Sequence, residues 1–124
     1  MTEIIYKELS YKIVGCRFDV YNELGFGHKE KYYQTATEEA LRKGSLGFER
    51  QLYVPIKFKE KVVGKYYLDL LVEEKIVVEL KVGDHFFRKD IEQILSYLKS
   101  KGLKLGILIN FTSSGVKYKR IINS

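Results

Sequence analysis

Cysteine and histidine are scarce in this sequence. Among its 124 residues, Cys16 is the one cysteine, and His28 and His85 are the two histidines. A single thiol cannot form a disulfide framework or, by itself, a zinc site, and two histidines argue against a structural zinc. Such sparse cysteine is typical of proteins in a reducing compartment. We therefore expect a cytoplasmic protein without a disulfide framework.

The sequence also has no long hydrophobic run. None reaches the ~18 residues that a membrane-spanning helix needs. The N-terminal stretch MTEIIYKELSYK mixes acidic and basic residues and has no apolar centre of the kind found in signal peptides. Hydrophobic residues still make up 45% of the chain, which is enough for a packed core and argues against disorder. We expect a soluble protein without membrane contact, folded as a single domain over residues 1–124.

Acidic residues are few in the C-terminal third. Residues 84–124 hold 8 Lys and Arg against 3 Asp and Glu, whereas residues 1–83 hold 14 against 13. The net charge of +6 is therefore concentrated near the C-terminus. Such a basic region is a candidate surface for a polyanion such as nucleic acid, although charge that only maintains solubility gives the same pattern.

The hydrophobic pattern predicts an α/β fold. Helical periodicity is present over residues 9–24, 28–43 and 88–101, with glycines after each stretch. Extended, mostly apolar stretches predict strands at 48–58, 62–72, 76–82, 104–111 and 116–122. Short polar turns make the first three strands an antiparallel meander, and the helix between 76–82 and 104–111 implies a parallel crossover. The expected fold is a mixed central sheet flanked by helices, in the order ααβββαββ, with 116–122 at a sheet edge.

Three charged residues interrupt the apolar strands. Asp69 lies within YYLDLLV, and Glu79 and Lys81 lie within IVVELKV. A tight turn at residues 73–75 places Asp69 beside Glu79, and alternation along a strand puts Lys81 on the same face as Glu79. Two adjacent carboxylates repel each other unless a proton or cation joins them, and Mg²⁺ or Mn²⁺ accepts such ligands. The triad is typical of a metal-assisted phosphodiester-hydrolysing site; an ion pair on a solvated sheet face is the alternative.

Further polar residues flank this triad. Glu30 lies in the first turn of the second helix, near Tyr33 at i+3, although an acid there also suits the helix dipole. Lys89, Gln93 and Tyr97 form a row at i, i+4 and i+8 on the helix that follows the third strand. This row could contact a nucleic-acid backbone, or it could be a half-exposed helix face.

Five sequence pieces in order resemble the GxxExxY family of the PD-(D/E)XK nuclease-like superfamily. They are GFGHKEKYY at 25–33, Asp69, ELK at 79–81, QILSY at 93–97 and GILINF at 106–111. The resemblance extends from about Leu9 to Ile122. It implies a restriction-endonuclease-like core, which agrees with the element order deduced from the pattern.

The resemblance also implies roles for individual residues. Asp69, Glu79 and the backbone carbonyl of Leu80 would bind a divalent metal, and Lys81 would be the catalytic lysine. Glu30 would complete the site through the metal or its water, while Gln93 and Tyr97 would support the active site and substrate. Two positions depart from the family pattern: Asp90 stands where many members have histidine, and Leu68 stands where the superfamily name has proline.

These observations predict a nuclease dependent on Mg²⁺ (or Mn²⁺) that acts on nucleic acid, with DNA favoured over RNA. The alternative is a nucleic-acid-binding module of a defence or repair assembly without turnover. A third hypothesis is a protein-interaction or regulatory subunit in which the site is a relic. A small single domain has little surface for sequence recognition, so we expect either a homodimer or weak sequence specificity, with the edge strand at 116–122 as a candidate dimer contact.

Overall fold

The computed structural model describes residues 4–124 and contains three helices and five strands in the predicted order. The elements are α1 (Lys7–Leu24), α2 (Glu30–Lys43), β1 (Phe48–Phe58), β2 (Lys61–Val72), β3 (Ile76–Val82), α3 (Arg88–Lys101), β4 (Leu105–Thr112) and β5 (Gly115–Ile122). Every predicted boundary lies within two residues of the observed one. Within residues 4–124, no helix is both long and apolar enough to cross a bilayer.

The five strands form one mixed sheet in the spatial order β1-β2-β3-β4-β5. Neighbouring strands run antiparallel except β3 and β4, which are parallel and are joined by α3. The predicted meander and parallel crossover are thus confirmed. All eight residues of β4 are buried, as expected for a strand covered on both faces. Strand β5 lies at a sheet edge, as predicted, and its use for dimerisation stays a prediction.

Helices cover both faces of the sheet. Helices α1 and α2 pack on one face, where Ile13 and Leu41 join the strand residues Leu70 and Val78 in the first hydrophobic cluster. Helix α3 packs on the other face through a second cluster, whose members include Leu68, Val77, Ile94, Leu98 and Leu108. Glu79 and Lys81 continue the α3-facing row of β3, because side chains two residues apart share a face.

Strand β2 changes face at Asp69. Leu68 and Leu70 would share a face in a regular strand, yet Leu68 packs in the α3-side cluster and Leu70 in the opposite one. The backbone pairing of β2 with β3 also ends here, with Leu70 opposite Val78 as its last pair. Strands β2 and β3 therefore separate at Asp69 and Glu79, and the backbone groups released there are free to bind side chains.

Helix α3 sits close to β4 at Gly106. A Cβ atom added at Gly106 would lie 2.5 Å from Cγ2 of Ile94, well inside van der Waals contact. We expect Gly106→Ala to lower the free energy of unfolding by about 1–3 kcal/mol, because α3 would have to shift. Gly15 in α1 has no atom within 4 Å of the corresponding position, so Gly15→Ala should instead stabilise by about 0.5–1 kcal/mol. Urea denaturation of both variants measures the contrast, and equal effects would contradict it.

Candidate active site where strands β2 and β3 separate

Asp69 and Glu79 are linked by two reciprocal hydrogen bonds. The backbone N–H of Asp69 donates to Oε1 of Glu79 at 2.8 Å, and the backbone N–H of Leu80 donates to Oδ2 of Asp69 at 2.8 Å. The two carboxylates thus occupy the place that ladder hydrogen bonds would fill in a regular antiparallel pair. The structure brings these two predicted residues together in a fixed geometry.

Both carboxyl groups bind protons more tightly than usual. Burial raises the pKa of Glu79 to about 9, and the adjacent Asp69 adds to the effect. Burial also raises the pKa of Asp69, although the Leu80 N–H opposes the shift. Glu79 is only 5% exposed, so water cannot compensate a second negative charge. The pair therefore holds a proton at neutral pH unless a cation binds.

Lys81 supplies the positive charge of the site. Its Nζ lies 3.8 Å from Oε2 of Glu79 and 3.8 Å from Oδ1 of Asp90. Burial alone would lower the pKa of Lys81, but the surrounding carboxylates, Glu79 foremost, raise it overall. Both distances exceed hydrogen-bond length, so the ammonium is held by charge while its N–H donors remain available. The alternative of an ion pair on a solvated face fits poorly, because Glu79 is buried.

Asp90 is an acid of the site that the sequence did not assign. It lies in the first turn of α3 and is 4% exposed, although it is a charged residue next to the exposed Lys89. A carboxylate this buried needs a partner, and Lys81 is that partner. The one available signal was its position, where many members of the family that the sequence resembles have histidine. Charge and periodicity alone do not separate Asp90 from the exposed Glu92 of the same helix.

Helix α2 places two glutamates, Glu30 and Glu38, near enough to Asp69 for their charges to interact with it. Glu30 is an exposed residue, but its carboxyl group is partly desolvated, which raises its pKa, while Lys81 opposes that shift. Lys81 and Asp69 are therefore near enough for their charges to act on Glu30. Glu38, which the sequence analysis passed over, is 4% exposed, and its Oε2 lies 2.9 Å from Nε of Arg50. Glu38 is already neutralised by arginine, whereas Glu30 remains open to solvent.

Tyr33 is placed in the core beneath the site. It is fully buried, its ring stacks on Phe111 with centroids 4.3 Å apart, and its hydroxyl donates to the carbonyl of Gly25 at 2.5 Å. That bond ties the start of α2 to the end of α1. Tyr33 therefore supports the position of Glu30, three residues earlier, and does not reach solvent.

The row on α3 divides by depth. Lys89 is exposed, Gln93 is half-buried, and Tyr97 is 7% exposed within the α3-side cluster. The backbone carbonyl of Gln93 accepts a 3.4 Å hydrogen bond from the hydroxyl of Tyr66. Burial raises the pKa of Tyr66, and Glu79 adds to it, which places that hydroxyl near the carboxylate pair. Tyr66, absent from the sequence-based set, thus connects α3 to the site.

The ligands predicted for a divalent metal are oxygen atoms at the point where the strands separate. Within residues 4–124, no three His, Cys, Asp or Glu side chains are grouped to hold a metal by themselves. Asp69 and Glu79 provide two carboxylates, and the N–H of Leu80 points to Asp69. Since N–H and C=O of one strand residue point to the same side, the Leu80 carbonyl also faces this point. Few protein ligands, all oxygen, suit Mg²⁺, which keeps several waters.

The role of Asp90 can be tested through the pKa of Lys81. Asp90→Asn removes one of the carboxylates that raise this pKa, so we expect it to fall. The measurement is an NMR titration of the Lys81 side-chain carbon beside the amine. Glu92→Gln is the matched control, since Glu92 lies on the same helix but pairs with Arg88 at 3.0 Å. An unchanged Lys81 titration in Asp90→Asn would contradict the assigned contact.

Comparisons with known proteins identify the fold and the family of the chain. No curated protein matches the sequence. The crystal structure of SSO0001 aligns with a TM-score of 0.57 at 18% identity, covering 95% of this chain and 58% of that one. This likeness shows a shared fold, and the present chain spans somewhat over half of the SSO0001 chain. The sequence model of the family described as the PD-(D/E)XK nuclease superfamily matches residues 7–121. The chain therefore belongs to the PD-(D/E)XK nuclease superfamily.

Proposed function

We propose that this chain is a divalent-metal-dependent nuclease that hydrolyses phosphodiester bonds in DNA. The observation that carries the proposal is the Lys81 ammonium held 3.8 Å from Glu79, beside the buried Asp69–Glu79 pair, in a member of a nuclease superfamily. A protein that only bound nucleic acid would have no chemical need for two buried carboxylates beside a lysine. Burying two carboxylates together costs stability, and a metal-assisted reaction gives that cost a function.

In this proposal Asp69, Glu79 and the Leu80 carbonyl hold Mg²⁺ or Mn²⁺. The bound metal would polarise the phosphodiester and make water more acidic. Lys81 contributes a fixed positive charge, because its pKa is raised by the neighbouring carboxylates. Its free N–H donors can bind a non-bridging phosphate oxygen and stabilise the charge that develops during attack. Asp90 keeps the ammonium at that position.

Glu30 is the proposed orienting group for the attacking water. Its carboxyl group is open to solvent on the α2 side and lies within the electrostatic reach of Lys81. A carboxylate there can accept a hydrogen bond from water and direct its lone pair toward phosphorus. Tyr33 fixes the start of α2 and so holds Glu30 in place.

A cleavage panel tests the proposal most directly. Labelled single- and double-stranded DNA and RNA are incubated with the wild-type protein and with Lys81→Ala, in Mg²⁺, Mn²⁺ or EDTA. We expect products from DNA with wild type and metal, and none with EDTA or Lys81→Ala. Salt-dependent binding without products would favour a binding module of a defence or repair assembly. Absence of both binding and cleavage would favour a protein-interaction subunit and overturn the proposal.

A further inference from the structure

The end of the β1–β2 hairpin extends beyond the cover of the helices, whereas Val54 and Tyr66 at its base still pack in the α3-side cluster. We call residues 53–67, its distal part, the arm. Every residue from 55 to 63 is exposed. The exposed residues include Phe58 at 64%, Val63 at 60% and Val62 at 50%. By contrast, Leu68 and Leu70, just after the arm on β2, are fully buried. An isolated two-stranded ribbon with large apolar side chains in water is marginal by itself, which indicates that a partner covers it.

The arm is a second basic segment besides residues 84–124. It contains four lysines, Lys57, Lys59, Lys61 and Lys65, and one acid, Glu60. Its net charge of +3 is half of the +6 of the whole chain, although it comprises only residues 53–67. All four lysines are exposed. Four exposed apolar residues and the paired rings of Tyr53 and Tyr67, with centroids 6.0 Å apart, lie among these lysines along the ribbon.

The lysines occupy both faces of the ribbon. Cross-strand partners share a face, so Lys61 lies with Phe58, and Lys65 lies with Pro55 on the opposite face. Val63 has no partner, because the register slips between Ile56 and Lys57, and this irregularity adds twist. Positive charge on both sides suits a ribbon lying between two phosphate chains better than one flat protein surface. The major groove of DNA admits a two-stranded β-ribbon.

Two basic residues near the C-terminus, Arg88 and Arg120, are held by partners within the protein. Arg120 donates to the carbonyl of Ile5 at 2.9 Å and to Oγ of Ser10 at 3.3 Å, which ties β5 to α1. Arg88 pairs with Glu92 at 3.0 Å. The arm lysines have no ion pair within the described residues 4–124. Their charge is available to a ligand from outside.

Resting on the proposed nuclease function, we propose that the arm binds the duplex flank of the DNA substrate. Strand β2 contains both Lys61 and Asp69, with the irregularity at Val63 between them. At about 3.3 Å per residue, Lys65 and Lys61 lie roughly 13 and 26 Å from Asp69 along the strand. With a rise of about 3.4 Å per base pair, these distances correspond to about 4 and 8 base pairs from the scissile phosphate. The arm would therefore contact the duplex up to about 8 base pairs to one side of the cleaved bond.

The test uses binding and not turnover. The arm variant replaces Lys57, Lys59, Lys61 and Lys65 with glutamine, and the control variant replaces the exposed Lys7, Lys12, Lys43 and Lys75. Both are made with Lys81→Ala so that the DNA stays intact. Fluorescence anisotropy in Mg²⁺ measures affinity for duplexes from about 6 to 24 base pairs, a range that brackets the reach of the arm on either side of the site. We expect the unmodified arm and the control variant to bind more tightly as the duplex lengthens.

The arm variant should lose that gain. Its affinity for the longest duplex should fall at least about tenfold below the control, and the slope of log affinity against log salt should be shallower by up to about 3.6, or about 0.9 for each of the four lysines removed. Equal affinity and equal length dependence in the two variants would overturn the proposal. The proposal would also be overturned if the wild-type protein were a dimer that the double variant Phe58→Ser/Val63→Ser converts to a monomer without loss of DNA affinity. In that case the arm would bind a second copy of the chain. If DNA binding depends on the arm but the protein with its native Lys81 does not cleave DNA, the proposed role of the arm is supported and the proposed nuclease function is refuted.

Discussion

Alanine at Asp69 or at Lys81 is expected to reduce metal-dependent DNA cleavage by at least about 100-fold, with different effects on metal binding. Asp69→Ala removes a proposed ligand and also the acceptor for the Leu80 N–H, so it should lose both cleavage and metal affinity. Lys81→Ala removes only the charge that faces the phosphate, so metal should still bind. Initial rates with labelled duplex, together with calorimetric Mn²⁺ titration, separate the two outcomes.

Controls for these variants come from the same chain. Lys99→Ala removes an exposed lysine from the last turn of α3 and should leave cleavage unchanged. Circular dichroism and thermal denaturation establish that each variant is folded, which matters most for Asp69, because its side chain bonds to backbone. Cleavage that persisted in both Asp69→Ala and Lys81→Ala would contradict the assignment of this site as the active site.

The turn at residues 73–75 determines where the carboxylate pair lies. The apolar strands before and after residues 73–75 have a single register that buries both, because a slip of one residue would move every side chain to the other face. That register pairs Leu70 with Val78 and Val72 with Ile76, and its next step brings Asp69 to Glu79. Local patterning was therefore sufficient to predict the position of the carboxylate pair before the structure.

The parts that escaped prediction depend on tertiary packing. Whether Asp90 is buried is decided by how α3 sits on the sheet, and that depends on the close approach at Gly106. A sequence pattern records that α3 is amphipathic but not its height or rotation above β4. The change of face at Asp69 is equally invisible, since strict alternation predicts that Leu68 and Leu70 share a face. Tyr66 joins the site only because the strand changes face there.

Glu79→Gln is expected to remove the loss of stability that Glu79 causes in the metal-free protein as the pH rises. The folded-state pKa of Glu79, about 9, lies above its ordinary value of 4.5. Between those values the folded chain holds a proton that the unfolded chain has released. Stability from this group is thus complete below pH 4.5 and is lost as the pH rises toward 9. The loss is at most about 1.4 kcal/mol per pH unit for one proton, and Glu79→Gln, which cannot ionise, should remove it.

Adding Mg²⁺ should oppose this loss of stability at high pH. Metal binding needs the deprotonated carboxylates, so its stabilising effect should grow with pH, and protons should be released on binding. In wild type, the metal-induced rise in the free energy of unfolding should be larger at pH 8.5 than at about pH 6, and in Glu79→Gln it should be small at both. Urea denaturation at each pH, with EDTA or Mg²⁺, measures all four cases. A stability that rises with pH in EDTA, or an equal Mg²⁺ effect in Glu79→Gln, would show that the buried pair is not the metal site. If both shifts occur as expected, the protonated pair is the resting form of the site, and the metal replaces its proton.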